Sequence, residues 1–456
     1  MQDPFPVPPF PAPAKASVAV PGSKSVTNRA LAMAALADGI VTLDNALFSE
    51  DTEIMTAALQ ALGFEIEAKP AQGRVRVVGQ GGRLPHSRAS LHVGNSGTSA
   101  RFLAALCCLH PEGDYVIDGS PQMRSRPIAP LADALSKLGA RIELADGRFP
   151  LRIRSRGLAG GAVAIDASES SQFVSALLIV APYAREPMEI RLADPAVRRG
   201  YIEMTRAMAR QFGQPEGRLQ AGPGPSRSAG GEQGYRVEPG RPYRAPAKGY
   251  RVEPDASAAS YFLALPLAVG GEVEIRGLLR DSLQGDIAFA DDVQRMGARV
   301  EWTAGGALCR FPVPSKGQPV RADFHSRSDT FLTAAALTPL LDGPTRIEGV
   351  AHTRRQECDR IAAMAQGLAR LGQSVAEEPG ALEVDPRPLR PATVATFDDH
   401  RVAMSFAILG CADPFGDARP WLRVENPLCC KKTFPGFFDT LADARESSLA
   451  KAKRPN

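Results

Sequence analysis

The sequence lacks most of the short signatures by which enzymes declare their chemistry. No GxxxxGKS occurs, which excludes the nucleotide P-loop. No HExxH is present, and the six histidines are scattered. The seven cysteines include two adjacent pairs, Cys107-Cys108 and Cys429-Cys430, but no CxxC spaced for zinc. Their odd number and lack of pattern argue for free thiols in a reducing compartment. Apolar stretches break before about 18 residues, so no membrane span is expected. The opening MQDPFPVPPFPAPAK has neither a basic n-region nor an apolar h-region, so no signal peptide is expected. A net charge of +4 over 456 residues is too small for a dedicated nucleic-acid surface. It still allows a local basic cleft for an acidic small molecule.

What is present is ordinary for a globular chain, 44% hydrophobic and 23% charged. The length suits two or three domains, and a cytoplasmic location is expected. The segment PGSKSVTNRALAMAALADG, Pro21 to Gly39, is less ordinary. It sets Lys24, Ser23, Ser25 and Arg29 where an apolar helix begins. The first-turn amides of a helix are unpartnered and carry the positive end of its dipole, so an anion sits well there. A serine cap with solvated basic neighbours explains the same residues.

Self-similarity goes further. From Ser25 the pattern runs apolar helix, glycine turn, strand (IVTLDNA), second helix, strand. It returns from Ser257 (SAASYFLALPLAVGGEVEIRG) and from Ser328 (SDTFLTAAALTPLLDGPTRIEG). Weaker copies start near Asn95, Ser170 and Asp398. Helix and strand alternate in six units spaced about 75 residues apart, so the class is α/β. The first helix of each unit is apolar nearly all round, which marks it as buried. Helices are therefore expected inside, with sheets over them.

Three units precede EPDASAAS and three follow it, with the Gly/Pro/Ser-rich GQPEGRLQAGPGPSRSAGGEQG between the third and fourth. The expected domains are 22–253, and 1–21 with 254–456. The starts of the first helices are polar: Ser23 to Arg29, Gly94 to Arg101, Ser170 to Gln172, Asp255 and Ser257, Asp329, and Asp399 to Arg401. Singly, each is a cap. Repeated on buried helices related by rotation, they would gather at one end of each domain and line an anion-binding cleft between the domains.

The stretches PGSKSVTNRAL, GNSGTSARF, SRPIAPLADAL, IDASESSQFVSALL, EPDASAASYFLA, QGDIAFADDV, DTFLTAAAL, ECDR, DDHRVAM and KKTFPGFF cover nearly all of the chain. In these stretches and their order the chain resembles the 5-enolpyruvylshikimate-3-phosphate synthase family of enolpyruvyl transferases. The GSKSxTNR form points away from the sister enzymes that act on UDP-N-acetylglucosamine. The resemblance implies an α/β fold of two domains, each of three βαβαββ units with buried helices and outer sheets. It implies transfer of the enolpyruvyl group of phosphoenolpyruvate (PEP) to the 5-hydroxyl of shikimate 3-phosphate, by addition and then elimination of phosphate. No metal and no organic cofactor is implied, the partners are the two small substrates, and a monomer is expected.

Roles follow by position. Lys24 would bridge the PEP phosphate and the target hydroxyl. Ser25 and Arg29 would hold the shikimate carboxylate, and Ser170 and Ser171 its phosphate. Gly97 would present backbone to PEP, with no room for a side chain. Arg126, Gln172 and Lys432 would surround the PEP phosphate, Gln172 also touching the acceptor. Arg360 and Arg401 would fork onto the PEP carboxylate. Asp329, near the hydroxyl, and Glu357, near the PEP methylene, would be the acid–base pair. Inhibition by glyphosate, competitive with PEP, is expected.

Two positions depart from the family's pattern. Arg198, in AVRRGY, stands where a VSxPY serine is common, and Gln356 where lysine or histidine is common before the catalytic glutamate. Both belong to the acceptor's phosphate end. They leave open an alternative acceptor, a different phosphorylated alcohol such as a nucleotide. A non-catalytic anion-binding protein would be expected to have lost one of Asp329, Glu357 or the basic residues around PEP, and all are present.

Overall fold

The computed structural model describes residues 1–194, 197, 199–223, 233–312 and 315–452. Contacts divide the chain into two compact units, Gly22–Val252, and Met1–Pro21 with Glu253–Asn456. Among the described residues the first unit holds three sheets of four strands. Arg88–His92 runs parallel to Gly113–Asp118, which pairs antiparallel with Arg148–Ser155, and that strand pairs antiparallel with Arg141–Ala145. The same order recurs in Gly161–Ile165, Met188–Leu192, Gln233–Val237 and Leu219–Pro223. It recurs again in Tyr250–Arg251, Asp38–Asp44, Arg74–Gln80 and Ile66–Lys69.

A parallel pair needs a crossover, and here it is a helix. The helix Gly97–Cys107 links the first two strands of its sheet and Gln172–Val180 those of the next. In the third sheet the first strand, Tyr250–Arg251, comes from the far end of the unit's sequence. It pairs with the strand that follows helix Lys24–Leu36.

The second unit repeats the scheme. Ala14–Val18 pairs parallel with Gly271–Arg276, which continues antiparallel through Gly306–Phe311 to Arg299–Thr303. Arg321–Asp323, Thr345–Glu348, Ala381–Asp385 and Ser374–Glu378 form the next sheet in that order. The last sheet has three strands, Ala392–Val394 parallel to Leu422–Val424, which is antiparallel to Phe5–Pro6. Its crossover helices are Ala256–Val269, Phe331–Leu337 and His400–Gly410.

These crossover helices form the interior. Every residue of Gly97–Cys107, Phe331–Leu337 and His400–Gly410 is buried. Alanine recurs in them because small side chains let helices pack against each other closely, and the three in each unit touch one another. The strands are amphipathic at period two. Ala14, Ala16 and Val18 face inward while Lys15 and Ser17 face water. The outer faces carry cross-strand pairs such as Arg152 with Asp114 at 2.6 Å and Arg310 with Glu272 at 3.0 Å. Exposed pairs of this kind contribute about 1 kcal/mol or less each.

The second helix of each unit buries one face only. In Arg360–Arg370 the inward residues include Ile361, Met364, Gly367 and Leu368. A Cβ at Gly367 would lie 2.3 Å from Cζ of Phe406, on the buried helix His400–Gly410. Alanine in a helix normally gains about 1 kcal/mol over glycine. Overpacking a filled core costs about 1–3 kcal/mol, and the collision here is with a ring locked on all sides. Gly367→Ala is therefore expected to lower the unfolding free energy by up to about 2 kcal/mol after that offset, read as a lower urea midpoint. An unchanged or higher midpoint would show that Phe406 moves aside at little cost.

Candidate active site

The expected site residues that the structure describes divide between the two units. In Gly22–Val252, Lys24 opens its helix and Nζ lies 3.3 Å from Oδ2 of Asp51, which is almost fully buried. Gly97 opens the next buried helix, and a Cβ there would lie 2.7 Å from Nη1 of both Arg101 and Arg126. A side chain at this point would have to displace the ends of two guanidiniums.

Arg101 donates through Nη1 to the Gly97 carbonyl at 3.0 Å and to Oε1 of Gln172 at 2.9 Å. Nε2 of Gln172 donates to Oγ1 of Thr98 at 3.1 Å, and Nη1 of Arg126 to the Asn95 carbonyl at 3.4 Å. Ser170 and Ser171 are buried at the start of the Gln172 helix, with Oγ of Ser170 accepting from the Gln172 amide at 3.3 Å. Gly97, Arg126 and Gln172 are thus brought together around two helix starts.

Arg29 is placed differently. It is fully buried between the rings of Phe102 and Tyr201. It donates through Nε to Oγ1 of Thr205 at 2.8 Å and through Nη1 to the Ser25 carbonyl at 2.9 Å. Nη2 donates to Oγ of Ser175 at 3.2 Å and to the Tyr201 carbonyl at 3.3 Å. Burial lowers its pKa to about 10, which still leaves a cation at neutral pH. The half-buried Ser25 shares this network through its carbonyl. Arg198 lies outside the described residues.

In the second unit the cluster centres on Arg360, 1% exposed. Nε donates to Oδ2 of Asp399 at 2.7 Å, Nη1 to Oδ1 of Asp329 at 3.0 Å and Nη2 to Oε2 of Glu357 at 2.8 Å. Oε1 of Gln356 also accepts from Nη1. Arg401 donates through Nη2 to Oδ2 of Asp329 at 2.7 Å, and Nζ of Lys432 lies 3.7 Å from Oε1 of Glu357. Three carboxylates and three cations therefore alternate. Burial works against the charge on Arg360, but Asp399, Glu357 and Asp329 outweigh it and hold its pKa above the usual arginine value.

Asp51 and Asp286 carry no mark in the sequence, and Arg101 and Asp399 read there only as polar helix starts. Arg101 follows Gly97 by one helical turn, a spacing visible in the sequence. Asp399 caps its helix as the sequence leads one to expect, since Oδ1 accepts from the Arg401 amide at 2.8 Å. Its other oxygen anchors Arg360. Two left-handed residues, Phe397 and Asp398, bring the chain into this cap at φ 53° and 60°. Asn426 braces Asp398 through a 2.8 Å bond. Asp255 likewise caps its helix, accepting from the Ala258 amide at 2.8 Å. At these two helix starts of the second unit a carboxylate already occupies the position expected for an anion. The serine caps Ser23, Ser96 and Ser171 of the first unit add no such charge.

Asp286 is buried and accepts from Oγ of Ser257. Burial, then the charge of Asp329, pushes its pKa up to about 7 against an ordinary value of 3.8. The folded chain thus binds more protons than the unfolded one between those values. The stability from this group is complete below about pH 4 and is lost as the pH rises through about 7. Asp286→Asn should flatten the fall in unfolding free energy between about pH 5 and about pH 8, by up to about 3 kcal/mol. Denaturant titrations across that range check it, and identical profiles for both proteins would overturn the assignment.

The EPSP synthase (3-phosphoshikimate 1-carboxyvinyltransferase) family model matches residues 10–441. The chain is 49% identical to the 3-phosphoshikimate 1-carboxyvinyltransferase of Opitutus terrae, over 99% of each chain. It is 37% identical to the protein of that name from Nostoc punctiforme, over 96% of this chain and 98% of that one. Among solved structures it is similar to an EPSP synthase from Acinetobacter baumannii, with a TM-score of 0.76 at 23% identity over 96% and 98% of the two chains. It is also similar to the enolpyruvyl transferase NikO from Streptomyces tendae, with a TM-score of 0.73 at 16% identity over 96% of each. These two likenesses bear on the fold, and they agree with helix-centred units under small sheets. With a family model spanning almost its whole length and a relative half identical to it, the chain belongs to the EPSP synthase family.

Proposed function

We propose that this protein transfers the enolpyruvyl group of PEP to the 5-hydroxyl of shikimate 3-phosphate and releases inorganic phosphate, a step toward the aromatic amino acids. The observation that carries the reading is the Arg360 cluster, in which the two expected acid–base carboxylates are held by the cations expected to bind PEP. The shared name of relatives at 49% and 37% identity supports it, and does not favour a different phosphorylated alcohol as acceptor.

The geometry suggests how binding prepares the chemistry. Asp329 and Glu357 are paired with Arg360, Arg401 and Lys432. The PEP carboxylate takes guanidinium N–H groups from them through bidentate contact. A buried carboxylate that loses a cation partner binds a proton more readily, as a general acid must. Asp329 accepts the proton of the 5-hydroxyl as its oxygen attacks C2 of PEP. Glu357 gives a proton to the PEP methylene, forming the tetrahedral intermediate. Glu357 then recovers a proton from the new methyl group as the C–O bond to phosphate breaks, and the proton taken up by Asp329 leaves with the phosphate.

Lys24, Arg126, Gln172, Lys432 and the backbone at Gly97 are the proposed ligands of the PEP phosphate. Ser25, Arg29, Ser170, Ser171 and Arg198 serve the acceptor. For Arg29 this means exchanging one of its internal bonds for the substrate carboxylate. The same reading makes the protein a cytoplasmic monomer acting on two small molecules, with neither nucleic acid nor membrane as partner, and a target of glyphosate competing with PEP.

Glu357→Gln should lower turnover by at least about 10²-fold. The KM for PEP should not rise, because removing a negative charge beside Arg360 and Lys432 favours an anion. Near-normal turnover would remove Glu357 from the proton transfers. Gly97→Ala should raise the KM for PEP roughly tenfold, by pressing a methyl group on Arg101 and Arg126 and weakening a charge-assisted bond, and should weaken glyphosate more than PEP. Steady-state rates with PEP varied check this, and unchanged constants would mean that Gly97 does not set the phosphate contacts.

A further inference from the structure

Gln356 follows the short turn Ala351–Arg355 and precedes Glu357. Its side chain is half-buried, and Oε1 accepts a hydrogen bond from Nη1 of Arg360. The oxygen must face the guanidinium, because the amide NH2 and the guanidinium are both donors and would repel. Arg360 is then ringed by four acceptors. Asp399 takes Nε at 2.7 Å, Glu357 takes Nη2 at 2.8 Å, and Asp329, at 3.0 Å, shares Nη1 with Gln356.

These acceptors are not equivalent. Asp329 and Glu357 carry charge that repels an incoming carboxylate, and each must release its N–H for a substrate to bind. Asp399 is fully buried, holds the far edge of the guanidinium and is committed to its helix start. Gln356 is the one neutral acceptor. It can stay on Nη1 while the carboxylates give way, since it puts no charge against the ligand. A fourth carboxylate here would oppose the substrate. A cation would donate where an acceptor is needed and would compete with Arg360 for the same anions.

We infer that Gln356 is a positioning residue for the PEP carboxylate, holding the plane of the Arg360 guanidinium from Nη1 while Asp399 holds it from Nε, and that it does not bind the acceptor's phosphate. This rests on the reading that Arg360 receives the PEP carboxylate. It also explains why the position can do without a cation: the side chain serves the donor substrate.

The test is steady-state kinetics with each substrate varied in turn, on Gln356→Met, Gln356→Lys and, as a separate control, Arg360→Lys. Methionine fills similar volume but offers no strong acceptor. Gln356→Met is expected to raise the KM for PEP roughly tenfold, the size of one hydrogen bond to a charged group. The KM for shikimate 3-phosphate should stay within about twofold, a difference too small to represent such a bond. Gln356→Lys should raise the PEP constant at least as much and leave the acceptor constant unchanged. The proposal is overturned if Gln356→Lys lowers the acceptor KM while Gln356→Met raises it, since Gln356 would then sit on the acceptor's phosphate. It is also overturned if Gln356→Met changes neither constant while Arg360→Lys raises that for PEP. An Arg360→Lys enzyme with an unchanged PEP constant would instead reject the placement of PEP on Arg360. Gln356 is half-buried, so these variants are expected to fold, and thermal melts beside the wild type verify it.

Discussion

The buried guanidinium of Arg360 is the constraint on which the second unit's site depends. An unpaired charge in such a place would be prohibitively costly, and one paired by a single carboxylate would still leave N–H groups unmet. The chain meets the demand with acceptors from separate parts of the sequence: Asp329 before one buried helix, Asp399 at the cap of another, and Gln356 and Glu357 beside the arginine itself. Removing one partner of such a set leaves the others over-charged, so the cluster stands or falls together. On the proposed reading, an anion that enters trades places with a carboxylate, and the displaced carboxylate is the group that handles a proton.

The repeated architecture is what lets distant residues meet. A helix that is apolar on every side cannot lie on a surface, so it becomes a crossover buried beneath its own sheet. Its N-terminal turn then lies beside the starts of its neighbours. In the first unit this brings Gly97, Arg101, Arg126 and Gln172 within hydrogen-bonding distance or contact. The helix starts nevertheless differ between the units. Serine caps leave the positive end of the dipole to an incoming anion, whereas Asp255 and Asp399 already satisfy it. The second unit instead gathers the side chains of Arg360, Arg401 and Lys432 beside its acids.

Fold class and the burial of the crossover helices were determined by the sequence alone. The signal is local and repeated: helices such as AASYFLALPLAV have no polar face, and alternating strands such as EVEIRG follow a glycine turn. The candidate acid–base residues and expected PEP ligands are named in the sequence only by the family resemblance, and the structure groups Asp329, Glu357, Arg360, Arg401 and Lys432 together.

Only the tertiary structure decided how the charges are shared. Asp399 reads in sequence as a cap, and its second oxygen on Arg360 depends on the turn at Phe397 and Asp398 and on the packing of two helices. Arg29 reads as a helix-start cation facing an anion, but its guanidinium is enclosed between Phe102 and Tyr201, which are remote in sequence. Gln356 reads as the loss of a cation, and its amide oxygen proves to face Arg360. Asp286 is an unremarkable acid until burial and Asp329 raise its proton affinity. A residue's type fixes which bonds it can make. Which of them it makes is set by neighbours that folding brings from elsewhere in the chain, and by the water that folding removes.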